Sequence, residues 1–198
     1  MCGIIGWKDW DNSLVALQEE NSKRGVYSTG FYQFRNQELM KKYDSKFSFK
    51  KDSSFNNIIM QYRTPTTEIS DVWKLEENYP LEYMGYKMFG NGIINANYYK
   101  KIKDEYNNND LYYILKNIYH FQKGYKYLEE VEGTFALAIV TSNEDVILVR
   151  KDYPLYYNEN VFSSVEFEGG KLLEQGLLFN WTDMNEMKRL KFNSVYLE

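Results

Sequence analysis

Met1-Cys2-Gly3-Ile4-Ile5-Gly6-Trp7 opens the chain and joins the only cysteine of the sequence to a short apolar run punctuated by glycines. A run of this length and composition reads as a buried strand, which carries position 2 into the interior. If Met1 is removed, Cys2 holds a thiol and a free α-amine within one residue. An unperturbed thiol titrates at about 8.5 and an α-amine at about 7.7–8.0, so near neutral pH the amine is partly neutral and can accept the thiol proton. Such an amine can replace the histidine of other nucleophilic sites, and this chain has a single histidine, His120. From position and count alone, Cys2 also reads as a small buried hydrophobe or as part of a loose chain end.

Outward from this strand, Asp11, Asn12 or Ser13 can cap a helix that carries Leu14, Val15, Leu17 and Glu20 and ends before Gly25. Tyr27 to Phe34 alternates as a strand does, and so does Asn57 to Tyr62, which Pro65 ends. Asp44 to Asn57 is polar and lysine-rich and predicts a loop or a pair of short elements. Tyr86 to Phe89 is strand-like and runs into Gly90-Asn91-Gly92, where Asn-Gly predicts a turn. Leu111, Ile114, Leu115, Ile118 and Phe121 form one helical face behind Asp110, a residue that by itself is equally a helix cap. Thr134 to Val140 and Asp145 to Arg150 predict a core hairpin, and Asn160 to Ser163 a further strand. The last 18 residues are polar and give no pattern. Several strands with two or three amphipathic helices predict an α+β layered protein. No repeat or linker divides residues 1–198, so they read as one domain, with 180–198 unassigned.

Hydrophobic residues make up 43% of the chain and charged residues 26%, with a formal net charge of -4. That balance fits an ordinary globular protein and offers no bulk attraction for nucleic acid. One cysteine forms no internal disulfide, which suits a reducing compartment. There is no cationic leader before an apolar run and no stretch of about 18 apolar residues, so the expectation is a cytoplasmic protein without a membrane segment. The 19 tyrosines, with many asparagines and lysines, resemble the bias of an AT-rich genome such as that of a bacterial virus or a low-GC bacterium. No histidine, cysteine and carboxylate cluster suggests a metal, and no glycine-rich segment has a P-loop lysine, so no cofactor is expected.

The opening Cys2-Gly3-Ile4-Ile5-Gly6, with Arg24-Gly25-Val26-Tyr27-Ser28-Thr29-Gly30, Gln61-Tyr62-Arg63-Thr64-Pro65-Thr66, Asn78-Tyr79-Pro80, Gly90-Asn91-Gly92-Ile93-Ile94-Asn95 and Asp110, resembles the class II glutamine amidotransferases. These are the amino-terminal-nucleophile glutaminase domains of glucosamine-6-phosphate synthase, amidophosphoribosyltransferase and asparagine synthetase. Glu132 to Ile139, Arg150 to Tyr157 and Phe162 to Phe167 are similar to later family segments, so the resemblance covers about residues 1 to 167. Tyr27 stands where the family has aspartate and Gln61 where it has histidine. The spacing from Asn91 to Asp110 is short, and Leu111-Tyr112 replaces a threonine-glutamate pair.

The resemblance implies a four-layer αββα sandwich of two mainly antiparallel sheets, the Ntn-hydrolase fold. It implies Cys2 as nucleophile, with the Asn91 side chain and the Gly92 N–H as oxyanion donors. Arg63 and Asp110 would bind the α-carboxylate and α-ammonium of L-glutamine, and Arg24, Gly25, Gly30, Thr64 and Thr66 would shape the pocket. The implied reaction releases glutamate and ammonia through a γ-glutamyl thioester. With no synthase domain in the chain, ammonia would pass to a separate synthase or ligase subunit, and a homo-oligomer is compatible with the sequence. Two other readings use the same fold: a catalytically silent structural or regulatory subunit, and a glutamine-binding sensor.

Overall fold

Alternation with period two sorts the side chains of this protein onto two stacked sheets and places the candidate residues between them. The computed structural model describes residues 2–35, 38–50, 55–64, 75, 78–95, 97–98, 109–120 and 124–192. In chain order the first elements are β1 (Gly3–Trp7), α1 (Ser13–Arg24), β2 (Ser28–Gln33), β3 (Met40–Tyr43) and β4 (Ile58–Arg63). Next come β5 (Leu81–Tyr83), β6 (Tyr86–Ile94), α2 (Asp110–His120), a 3-10 helix (Gly124–Glu130), β7 (Gly133–Val140) and β8 (Val146–Lys151). The chain continues through β9 (Tyr156–Tyr157), β10 (Val161–Ser163), β11 (Lys171–Leu172), β12 (Leu177–Asn180) and β13 (Asn185–Arg189).

The first sheet runs β11-β9-β10-β1-β4-β2-β3 and the second β13-β12-β8-β7-β6-β5, with antiparallel pairing throughout both. The protein is thus α+β, built on two antiparallel sheets. Ile4, Tyr32, Phe34, Ile59 and Phe162 project from the first sheet into a core shared with Phe89, Ala136, Ala138 and Leu148 of the second. Ile5, Trp7, Phe31, Ile58, Met60 and Tyr62 project the opposite way and pack with Leu14 and Leu17 of α1. On the far side of the second sheet, α2 packs against β5 and β6 through Leu111, Ile114, Leu115 and Ile118. Among the described residues no helix is long and apolar enough to cross a membrane.

The helix after Asp11 and the hairpin of β7 and β8 lie where the pattern puts them. Phe47 and Phe49 of the polar segment join Trp7, Trp10, Phe31 and Tyr43 in one aromatic cluster. The turn expected at Gly90-Asn91-Gly92 is not formed. β6 continues through all three residues, paired with β7 from Lys87↔Val140 to Ile94↔Gly133. A reversal there would strand the buried backbone groups of β7 without partners. The glycines serve close packing instead: a Cβ on Gly90 would lie 2.4 Å from Leu111 Cδ1, and one on Gly92 would lie 2.7 Å from the Thr134 carbonyl oxygen. The C-terminal region contains the hairpin of β12 and β13, invisible in sequence because every residue of edge strand β13 is exposed.

One side chain ties the sheets together at the end that carries Cys2. Gln61 of β4, fully buried, donates from Nε2 to the Gly90 carbonyl at 2.6 Å and accepts the Gly90 N–H at Oε1 at 2.8 Å. Gln61→Leu should lower the unfolding free energy by about 2–4 kcal/mol, since each buried backbone group left unpaired costs about 1–3 kcal/mol. Urea unfolding checks this, and an unchanged midpoint would deny Gln61 its bridging role.

Candidate active site

Cys2 lies one residue before β1, on the inward-facing parity of Ile4, and is 8% exposed. The β1–β4 register pairs Gly3 with Tyr62, which sets Cys2 beside Arg63 and Thr64 at the end of β4. The Cys2 thiol donates to the Thr64 carbonyl oxygen at 3.7 Å. Thr64 is itself fixed, because its hydroxyl donates to the carbonyl of Arg24 at 3.0 Å. The Arg24 guanidinium donates to the Ser164 carbonyl. Ser164 in turn exchanges backbone and hydroxyl bonds with Ile4. A closed ring of contacts therefore runs from the α1 terminus through β4 and the β10 end back to β1. Burial lowers the pKa of Arg24, and Cys2 leads the groups that oppose this shift, so the guanidinium lies within electrostatic reach of the thiol.

From the second sheet, Asn91 points inward to meet Cys2. Its Oδ1 accepts the Cys2 backbone N–H at 3.3 Å. Its Nδ2 is buried and has no hydrogen-bond partner among the described residues, in a side chain only 3% exposed. Buried amides are ordinarily paired, and an unpaired one calls for an explanation. Its neighbour Gly92 is oriented by the ladder. The N–H of Gly90 is taken by Gln61 and that of Ile94 donates to Asp110 Oδ2 at 3.3 Å, both away from β7. Residues two apart in an antiparallel strand send their N–H groups to the same side, so the Gly92 N–H faces that edge as well, between them.

Asp110 is the first residue of α2, and the capping role falls to its neighbour. Asn109 accepts the Leu111 N–H at Oδ1, 3.1 Å away, and its carbonyl accepts the Tyr112 N–H. Asp110 also accepts the Leu111 N–H, at 3.0 Å. Burial raises the pKa of its carboxyl, against the lowering effect of the Ile94 and Leu111 N–H groups and of Arg63. Arg63 is 8% exposed, on the inward parity of Ile59 and Gln61, with its guanidinium carbon 5.8 Å from the centre of the Tyr79 ring.

The structure thus brings Cys2, Asn91, Thr64 and Arg24 together. Arg63 and Asp110 share one electrostatic neighbourhood, and Gly25 ends α1 beside the backbone of Tyr62 and Arg63. Gly30 admits the Tyr79 carbonyl, which would lie 1.6 Å from a Cβ at that position. Thr66 lies outside the described residues. Sequence reasoning missed Tyr79, which appears there only as the middle of Asn78-Tyr79-Pro80. Burial pushes its hydroxyl well above the usual tyrosine range, with Cys2, Arg63 and Asp110 as its charged or titratable neighbours. It also missed Asn109 and the bridging role of Gln61. His120 is set apart, at the end of α2 against the Tyr83 hydroxyl. Among the described residues, no group of three or more histidine, cysteine, aspartate or glutamate side chains comes together as a metal set.

No protein-family model and no curated protein matches the chain.

Asp110 binds its proton more tightly in the folded than in the unfolded chain. Its contribution to stability is therefore fully present below the unfolded aspartate pKa of about 3.9 and is lost as pH rises through the higher folded value. Urea midpoints measured across that range should show a downward component with rising pH that Asp110→Asn removes. An identical pH profile in the variant would contradict the raised pKa.

Proposed function

We propose that this protein hydrolyses the side-chain amide of L-glutamine to glutamate and ammonia, with Cys2 as nucleophile and a separate synthase or ligase as ammonia acceptor. The observation that carries the reading is the Asn91 amide. Its oxygen is committed to the Cys2 nitrogen and its buried Nδ2 has no partner among the described residues, beside the only thiol in the chain. An amide donor fixed in that way suits an oxygen that gains negative charge next to a nucleophile. The two antiparallel sheets, with α1 against one and α2 against the other, agree with the αββα layering of amino-terminal-nucleophile hydrolases, and that finer fold is part of the proposal.

In this mechanism the Cys2 thiol gives its proton to its own α-amine, directly or through water, and sulfur attacks the amide carbon. The former amide oxygen becomes an oxyanion held by Asn91 Nδ2 and the Gly92 N–H. Collapse of this intermediate breaks the C–N bond, and the proton on the α-amine passes to the leaving nitrogen as ammonia departs. Water then attacks the γ-glutamyl thioester, restoring the thiol and releasing glutamate. Arg63 grips the α-carboxylate, a task suited to its planar donors. Asp110 faces the α-ammonium. A charged carboxylate is needed there, so glutamine binding weakens as pH falls through the Asp110 pKa.

The reading requires a free α-amine at Cys2, which intact-protein mass measures. With that in place, glutamate release should be seen from glutamine and not from asparagine. Cys2→Ala should abolish it with thermal unfolding nearly unchanged, and retained release in a clean preparation would sink the assignment. Asn91→Ala should lower kcat by about 10²–10³, the cost of deleting one oxyanion donor. Arg63→Lys should raise KM for glutamine, since an ammonium offers no planar fork. Tight glutamine binding without glutamate release would mark the protein as a sensor instead.

A further inference from the structure

Tyr79 is buried, with 4% of its surface exposed, and its surroundings hold it in one place. Its carbonyl sits against Gly30, where no side chain fits. The preceding Asn78 side chain donates to the carbonyls of Thr29 and Tyr43 and accepts the Ser28 hydroxyl. The ring lies under the Arg63 guanidinium, 5.8 Å from ring centre to guanidinium carbon. Asn109 at the start of α2 is a side-chain hydrogen-bond partner of the phenol and acts to lower its pKa, as a donor to the phenolic oxygen does. An oxygen that accepts from an amide keeps its own proton to donate. Burial keeps that proton on at neutral pH, with Cys2 and Asp110 acting in the same direction and Arg63 against them.

A fixed neutral donor beside a guanidinium is suited to an anionic acceptor, and Asp110, in electrostatic reach of both Tyr79 and Arg63, is suited to a cation. We propose that Tyr79 is a substrate-binding residue whose hydroxyl donates to the α-carboxylate of the bound amino acid, next to Arg63. This rests on the glutamine reading above and narrows it. The pocket takes glutamine with a free α-carboxylate and discriminates against glutamine whose carboxyl is esterified or engaged in a peptide bond. Buried polar groups built to pair with one substrate group reject analogues that lack it, because they are then left unpaired.

Tyr79→Phe tests this, since it keeps the ring under Arg63 and removes only the hydroxyl. With L-glutamine as substrate, KM should rise about tenfold or more while kcat stays within about twofold, the loss typical of a hydrogen bond to a charged group. With the α-methyl ester of L-glutamine, Tyr79→Phe and the parent protein should behave alike. Equal losses on both substrates, or none on either, would overturn the proposal. A second arm is independent of turnover: L-glutamine titrated calorimetrically into Cys2→Ala, with and without Tyr79→Phe. A tenfold weaker Kd in the double variant supports the Tyr79 role even if the parent protein releases no glutamate, in which case only the hydrolysis reading fails. Equal Kd values overturn the Tyr79 role while leaving hydrolysis to the activity assay, and no binding to Cys2→Ala overturns both.

Discussion

The paired hydrogen bonds between the Gln61 carboxamide and the backbone of Gly90 are the constraint on which the site depends. Cys2, Arg63 and Thr64 belong to the first sheet, and Asn91 and Gly92 to the second. Apolar packing holds two sheets about 10 Å apart but is indifferent to small slides between them. Two directional bonds of 2.6 and 2.8 Å to one residue are not. They fix the register of β6 against β4 at the residue next to Asn91, and so the 3.3 Å contact between the Asn91 oxygen and the Cys2 nitrogen. A glutamine can do this because its amide offers a donor and an acceptor that match one backbone N–H and one C=O.

Around that contact the interior is unusually polar, and each group has a definite physical reason for its state. Asp110 is buried enough for its pKa to rise, yet the backbone N–H groups of Ile94, Leu111 and Asp110 itself and the field of Arg63 oppose the shift. Arg24 loses solvent but keeps a carbonyl partner at Ser164 and the nearby thiol. Asn21 behind them bonds Ser163 and Ser164, so the strand that carries Cys2 is backed by a satisfied polar layer. Among the described residues four buried side-chain polar atoms have no partner, Trp10 Nε1, Gln18 Nε2, Tyr62 Oη and Asn91 Nδ2, and only the last belongs to a side chain bonded to Cys2.

Much of the fold was legible. The strand that opens at Gly3, the helix that ends before Gly25, the hairpin of β7 and β8 and the apolar face of α2 follow from periodicity and turn chemistry. What was not legible has identifiable causes. Asn91-Gly92 carries a strong local turn signal, and pairing with β7 along eight residues of β6 overrides it. Edge strands β3 and β13 face solvent, so no alternation marks them. Asp110 reads as a cap in the sequence, and in the fold it shares the Leu111 N–H with Asn109, whose carbonyl also takes the Tyr112 N–H.

For the site, the sequence by itself determined the residue types and their order: one thiol at position 2, an arginine just after a strand, an Asn-Gly pair and an aspartate before an amphipathic face. Only the tertiary structure decided that the Asn91 oxygen meets the Cys2 nitrogen, that Gln61 spans the sheets, and that Tyr79 lies between Arg63 and Asn109. The reason is physical: periodicity acts within a segment and fixes which face a side chain takes. Which faces meet depends on contacts between distant residues, such as Cys2 and Asn91, 89 positions apart, and Ile4 and Ser164, 160 apart, which no local pattern encodes.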